Sequence, residues 1–242
     1  MKAIETINLT KEYKDITAVD KLNLEVEKGE LFALLGVNGA GKTTAIKMLT
    51  TLILPTSGSA IILGNDLFED KSKVKRITNV SPQETAVATK LSVRENLEFI
   101  AGIYGANSKE AAAKAAQMME RFDMTEISDR KAGTLSGGWQ RRLSIAMALI
   151  SEPEILFLDE PTLGLDVLAR RELWRIISSL KGKVTIILTT HYLEEARELS
   201  DRIGIMVKGK LKRVGTASEL MEYTGADSFE DAFVAIAEEG LK

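Results

Sequence analysis

Cysteine is absent from the 242-residue chain, and histidine occurs once. The first absence excludes disulfides, thiolate zinc sites and cysteine nucleophiles. The second excludes any multi-histidine metal site, so a metal would have to sit on oxygen ligands. An excess of positive charge is missing too. The 32 Lys and Arg against 35 Asp and Glu leave a formal net charge of -3, without the global basic field that dominates nonspecific nucleic-acid binding. Nucleic acid is therefore not expected as a partner. Apolar stretches such as Leu31–Leu35 and Ile155–Leu158 fall far short of the roughly 18 residues a membrane-spanning helix needs. The opening residues reach an acid at Glu5 and lead into no apolar run of a secretory signal, which predicts a chain that stays in the cytosol and serves a membrane only through a partner.

What is present suits a packed domain. With 45% hydrophobic and 28% charged residues, the chain can bury a substantial core as one domain with room for two lobes. The first forty residues alternate apolar and polar positions, as in Ile4-Glu5-Thr6-Ile7-Asn8-Leu9, the period of half-buried strands. Leu31–Leu35, Ile155–Leu158 and Val184–Leu188 are instead short continuous apolar runs, each followed by a turn or helix. Strands buried on both faces of a parallel sheet read this way, so the fold class is α/β, with ligands at the carboxyl ends of the strands. From 84 to 151 the character turns helical, opening at Ser92-Val93-Arg94-Glu95, where a serine followed three residues later by glutamate makes a capping box. The alanine-rich run Ala111–Ala116 is expected to be plain helix, and Ser228–Val234 a short amphipathic helix that packs back on the body or on a partner.

Gly36-Val37-Asn38-Gly39-Ala40-Gly41-Lys42-Thr43 fits G-x-x-x-x-G-K-[ST] and lies between an apolar strand and a helical segment from Thr44 to Leu49, where such a loop must lie. Its glycines let the backbone curl so that N–H groups point at phosphate oxygens, and the helix that follows adds its positive end. The expected nucleotide contacts are Gly36, Asn38, Gly39, Ala40, Gly41, Lys42, Thr43 and Thr44. Lys42 neutralises β- and γ-phosphate charge and the Thr43 hydroxyl ligates Mg2+. The loop alone does not separate an ATPase, a GTPase and a small-molecule kinase. Ile155–Leu158 then delivers Asp159 and Glu160 at the carboxyl end of a buried strand. Asp159 is suited to hold Mg2+, and Glu160 to orient and polarise an attacking water. Nothing marks an acceptor pocket of the kind a kinase needs, so hydrolysis is favoured.

Leu135-Ser136-Gly137-Gly138-Trp139-Gln140-Arg141-Arg142 resembles the LSGGQ signature of ABC-type ATPases, with Trp139 where that family usually carries glutamine. The resemblance covers residues 3 to 215 and implies a P-loop NTPase core with a mostly parallel sheet, an N-terminal antiparallel region and an inserted helical lobe. The core would comprise 1–83 and 152–215, the lobe 84–151, and a short extension 216–242. By the same resemblance Tyr13 stacks on adenine, Gln83 is the glutamine that reaches the metal and the reacting water, and His191 meets the γ-phosphate or that water. Ser136, Gly137 and Gly138 open a helix whose N–H groups form a second anion site, which in this family reaches nucleotide held by the opposing subunit. Asp166 contacts the opposing loop, besides serving as a helix N-cap. ATP and Mg2+ are the implied ligands, and the implied partners are a second copy of the chain and an integral membrane permease on whose cytoplasmic face it sits.

The phrases around these motifs, Glu160-Pro161-Thr162-Leu163-Gly164-Leu165-Asp166 and Thr190-His191-Tyr192-Leu193-Glu194-Glu195-Ala196, look most like ATPases of bacterial ABC-2 type exporters. The alternative is a soluble ABC-type ATPase acting on a nucleic-acid or ribosomal partner. Such relatives carry a long coiled-coil insertion or a second cassette, neither of which is found here. The resemblance implies that ATP closes a head-to-tail dimer and that the lobe around Gln83 to Gly105 passes closure to the permease.

Overall fold

A computed structural model describes residues 1–239. The chain runs β1 (Lys2–Tyr13), β2 (Ile16–Leu22), β3 (Glu25–Glu27), β4 (Leu31–Leu35), α1 (Lys42–Leu49), β5 (Ser57–Ile62), β6 (Asn65–Asp66), α2 (Lys71–Ile77) and β7 (Thr78–Ser81). Three helices follow, α3 (Val93–Ile103), α4 (Ser108–Arg121) and α5 (Gly137–Leu149). The remainder is β8 (Ile155–Asp159), α6 (Val167–Ser178), β9 (Thr185–Thr190), α7 (Leu193–Leu199), β10 (Arg202–Val207), β11 (Lys210–Gly215), α8 (Ala217–Thr224) and α9 (Phe229–Glu239).

The three continuous apolar runs become the centre of one sheet, ordered β11-β10-β4-β9-β8-β7. All its pairings are parallel except β10 with β11. Every residue of β4, β8 and β9 is buried, as strands covered on both faces must be. A second, antiparallel sheet has the order β2-β1-β5-β6, with β3 also pairing β1. Here simple alternation fails. Ala3 and Ile4 are both buried, and so are Leu9 and Thr10, because the β1 register shifts between Lys2 and Ile4 and again after Ile7, and each shift rotates later side chains to the other face. Between the shifts Ile7 faces out, 61% exposed.

The 84–151 segment is helical as expected. At the start of α3 the Ser92 side chain accepts from the Glu95 N–H while the Glu95 carboxylate accepts from the Ser92 N–H, a complete capping box. The alanine run lies inside α4, and α9 packs back through Phe229, Ala232 and Ile236. The lobe has no separate core. Val93, Leu97 and Phe122 belong to the same buried cluster as Leu156 and Leu158 of β8 and Leu188 of β9. Helix α5 joins the two, its residues from Arg141 to Leu149 all buried. No helix among the described residues is long and apolar enough to cross a membrane.

Candidate functional site

Register assembles the site. Leu35 of β4 lies beside Thr190 of β9, and Thr189 beside Asp159 of β8, so the glycine loop, the segment entering His191 and the acidic pair emerge side by side at one edge of the parallel sheet. Sites of open α/β sheets form at this edge. A cavity of ≈ 540 Å³ opens there, lined by Asn38, Gly39, Ala40, Gly41, Lys42, Thr43, Thr44, Gln83, Glu160 and His191 among others.

The loop's glycines are required by its surroundings. Gly41 has φ of 102°, and a Cβ on it would come within 2.3 Å of the Ala18 carbonyl oxygen; one on Gly36 would meet the Met206 carbonyl oxygen at 2.3 Å. At these two positions the loop is thus pressed against the β1–β2 hairpin and β10 with no space for a side chain, whereas a Cβ on Gly39 would meet nothing within 4 Å. The Gly209 N–H, in the β10–β11 turn, donates to Ala40 O at 2.9 Å and fixes it from outside.

Lys42 is 5% exposed. Its Nζ donates to Gly36 O at 2.7 Å and lies 3.2 Å from Glu160 Oε1. The other oxygen of Glu160 shares a hydrogen bond of 2.8 Å with His191 Nδ1. With a carboxylate as acceptor, Nδ1 carries the proton, which leaves Nε2 of a neutral ring as an acceptor. Glu160 holds a left-handed backbone with φ of 48°, costly for a residue with a Cβ. Its N–H is bound there by Thr189 O at 3.1 Å and Thr189 Oγ1 at 3.1 Å. One step back, Asp159 Oδ1 accepts from Thr43 Oγ1 at 3.1 Å and from Thr189 Oγ1 at 2.5 Å.

This donor set fits magnesium. Among the described residues no group of three or more His, Cys, Asp or Glu could hold a metal. The Asp159 carboxylate lies within hydrogen-bond reach of the Thr43 hydroxyl, which lines the cavity, and the pair matches Mg2+, which takes one or two carboxylates and completes its shell with phosphate oxygens and water.

Other expected residues lie elsewhere. Tyr13 does not line the cavity: its ring is 46% exposed, with Lys11 Nζ 5.1 Å from its centroid. Across the hairpin, Ile16, Thr17 and Ala18 line the cavity instead. Ser136, Gly137 and Gly138 stand outside it. Ser136 and Gly137 are exposed at the start of α5, whose first turn carries no side-chain cap, so its N–H groups are open to an anion. Asp166 caps α6, its Oδ1 accepting from the Leu168 and Ala169 N–H groups at 2.9 and 3.0 Å. Beside it Val167 and Leu168 are 63% and 75% exposed.

Two features escaped the sequence reading. The Lys208-Gly209 turn lines the cavity, and its signal was a Lys-Gly-Lys break directly after an apolar strand. Arg141, 3% exposed, donates to four backbone carbonyls: Pro161 at 2.8 Å, Asp159 at 2.6 Å, Gln83 at 3.3 Å and Pro82. Burial, the main cause, pulls its pKa down to about 10, while Asp159, Glu195 and Glu160 act in the opposite direction. It stays charged at neutral pH and ties the Gln83 segment to the acidic strand.

Comparison with known proteins identifies the family. The family described as ABC transporter matches residues 19–163. The probable multidrug ABC transporter ATP-binding protein YbhF of Escherichia coli K12 is 41% identical over 239 residues, which are 96% of this chain and 41% of that protein. The daunorubicin resistance ATP-binding protein DrrA3 of Streptomyces coeruleorubidus is 40% identical over 94% of this chain and 72% of its own length. This chain therefore spans well under half of YbhF and about three quarters of DrrA3. The solved dimer of the ATP-binding cassette MJ0796, in a post-hydrolysis state bound to ADP and Pi, superposes with a TM-score of 0.79 at 26% identity, covering 88% of this chain and 98% of that one. The motifs, their convergence at one sheet edge, and relatives matched along most of the sequence agree: the chain belongs to the ABC transporter family.

Proposed function

We propose that the chain is the ATP-hydrolysing motor of a transporter, an exporter by the drug-resistance names of its relatives, working as a head-to-tail dimer with a separate membrane permease. The observation that carries this reading is the Lys42–Glu160–His191 chain of contacts at the phosphate loop. Glu160 is held where it can polarise a water in line with a γ-phosphorus, and His191 where its second ring nitrogen can meet that water or a phosphate oxygen. Lys42 and the loop N–H groups bind and orient the phosphates. Magnesium held by Thr43 and Asp159, with Gln83 at the rim, would supply positive charge to the β and γ oxygens. The cavity wall at Ile16 and Ala18 offers an apolar face to a base.

Exposed Ser136, Gly137, Leu163, Val167 and Leu168 support a second copy as the partner that covers this edge. A groove of ≈ 470 Å³ beside α3, whose lining includes Arg76, Tyr104, Gly105 and Lys114, with Phe99 and Ile103 57% and 63% exposed nearby, supports the lobe as the permease's seat. Replacing Glu160 with Gln should abolish turnover, keep ATP binding and accumulate an ATP-bound dimer on sizing chromatography. A variant that stays monomeric with ATP and Mg2+ would count against the dimer. Ser136→Ala should depress hydrolysis while monomer binding is unchanged, and unaffected catalysis would remove the cross-subunit scheme.

A further inference from the structure

One titratable side chain near the site is sealed from solvent and has no part in the proposed chemistry. Glu195, in the first turn of α7, is 0% exposed. Its Oε1 accepts from Thr162 Oγ1 at 2.8 Å and from Trp174 Nε1 at 3.0 Å, while Oε2 is buried without a hydrogen-bond partner. A carboxyl in such a place is unfavourable, and burial holds it above the ordinary carboxylate range against the opposing contacts of Thr190, Thr162 and Trp174. An apolar side chain would fill the space at less cost, so the carboxyl's value lies in what its one bonded oxygen joins.

That oxygen joins the two segments that carry the reaction. Thr162 lies two residues beyond Glu160, and Glu195 four residues beyond His191. The Glu160–His191 contact at 2.8 Å and the Thr162–Glu195 bond at 2.8 Å are therefore successive rungs between the same two stretches of chain. Trp174 brings α6 to the second rung, and Arg170 of α6 stacks on Tyr192 with its Cζ 4.7 Å from the ring centroid. The first rung is partly open to solvent at His191; the second is wholly dry.

We propose that Glu195 is a positioning residue which, through Thr162, holds the His191 segment against the Glu160 segment and so sets the Glu160–His191 contact. The proposal rests on the reading of Glu160 and His191 as hydrolytic groups, and it deepens that reading.

The test uses the full chain with Thr162→Val, Glu195→Ala and Glu195→Gln. Thr162→Val keeps the shape and removes the donor, and Glu195→Gln keeps an acceptor for both donors. Thr162→Val and Glu195→Ala should lower kcat for Mg-ATP hydrolysis by about ten- to a hundredfold, the range for a small misplacement of a reacting group, with KM within about twofold. Glu195→Gln should retain most of the activity, and the double variant Thr162→Val/Glu195→Ala should fall no further than Glu195→Ala alone, since both remove one link. His191 is the sole histidine, so its ring nitrogen NMR signals identify themselves, and both donor-breaking changes should shift them away from the Nδ1–H tautomer. Unshifted His191 signals in Thr162→Val, additive losses in the double variant, or a Glu195→Gln as impaired as Glu195→Ala would overturn the proposal. If Glu195→Ala does not fold, Thr162→Val and Glu195→Gln decide it. If the unaltered chain does not hydrolyse ATP, the hydrolytic reading fails, and the His191 signals still decide the positioning.

Discussion

Replacing Arg141 with Met keeps most of the side-chain volume and deletes a buried guanidinium that two segments, 82–83 and 159–161, share. Hydrogen bonds from a charged donor contribute about 1.5–3 kcal/mol each, and Arg141 gives two of its close ones to Asp159 and Pro161, at 2.6 and 2.8 Å. Against this stands the cost of burying the charge. A pKa drawn down to about 10, net of the opposing carboxylates, corresponds to roughly 3 kcal/mol against the charged form. The net value of the intact arrangement is therefore modest, but removing one side of it also leaves the buried Asp159 and Pro161 carbonyls and the partly buried Pro82 carbonyl with one partner fewer. A buried carbonyl left without its donor costs about 1–3 kcal/mol, so with the charge penalty recovered the net loss is about 2–4 kcal/mol, a large part of the roughly 5–15 kcal/mol that holds a domain folded. Urea unfolding followed by circular dichroism should show Arg141→Met less stable by about that amount. Arg141→Lys should recover less than half, because a point charge cannot span three separated carbonyls. A midpoint shift equivalent to less than about 1 kcal/mol would refute the reasoning, since it would mean that these carbonyls find water or another donor without cost.

Gly41→Ala should weaken ATP binding at least about tenfold by calorimetry, because its Cβ has no room beside Ala18 and its φ is left-handed. Gly137→Ala, where an added Cβ meets nothing within 4 Å, should fold normally and gain up to about 1 kcal/mol of helix stability. Ser92→Ala should cost about 1 kcal/mol through the lost cap of α3. The Glu95 carboxylate is held below its ordinary 4.5, first by the Ser92 N–H and then by Lys131. Its stabilising effect is therefore complete above pH 4.5 and fades as pH falls through the lower folded value, so Glu95→Gln should flatten the melting temperature against pH in that acidic window.

The parallel sheet was legible because full burial leaves an unmistakable residue pattern. Leu31–Leu35 is β4 to the residue, and Ile155–Leu158 lengthens into β8 only by Asp159. The third run slid forward to Thr185–Thr190, since two threonines, polar by composition, are β-branched and fully buried here. The phosphate loop, the acids and the capping box were readable because each needs a fixed set of residue types at fixed spacing. The wall of the cavity was not. Ile16, Ala18 and Lys208 reach it through strand pairing and a turn, which local spacing does not encode. Arg141 and Glu195 were equally hidden, because a charged residue on a helix reads as solvated surface until the packing around it is known.

Helix α5 runs 13 residues, about 20 Å at 1.5 Å per residue. One end is the exposed Ser136–Gly137 turn; a turn further in, Arg141 grips the strands on either side, and beyond it Ser144 Oγ meets Ser81 Oγ at 3.0 Å. Such a helix is a lever with a clamped fulcrum. The residues that follow are buried, so a shift of the open end bears on Arg141 and through it on both the Gln83 segment and the acidic strand.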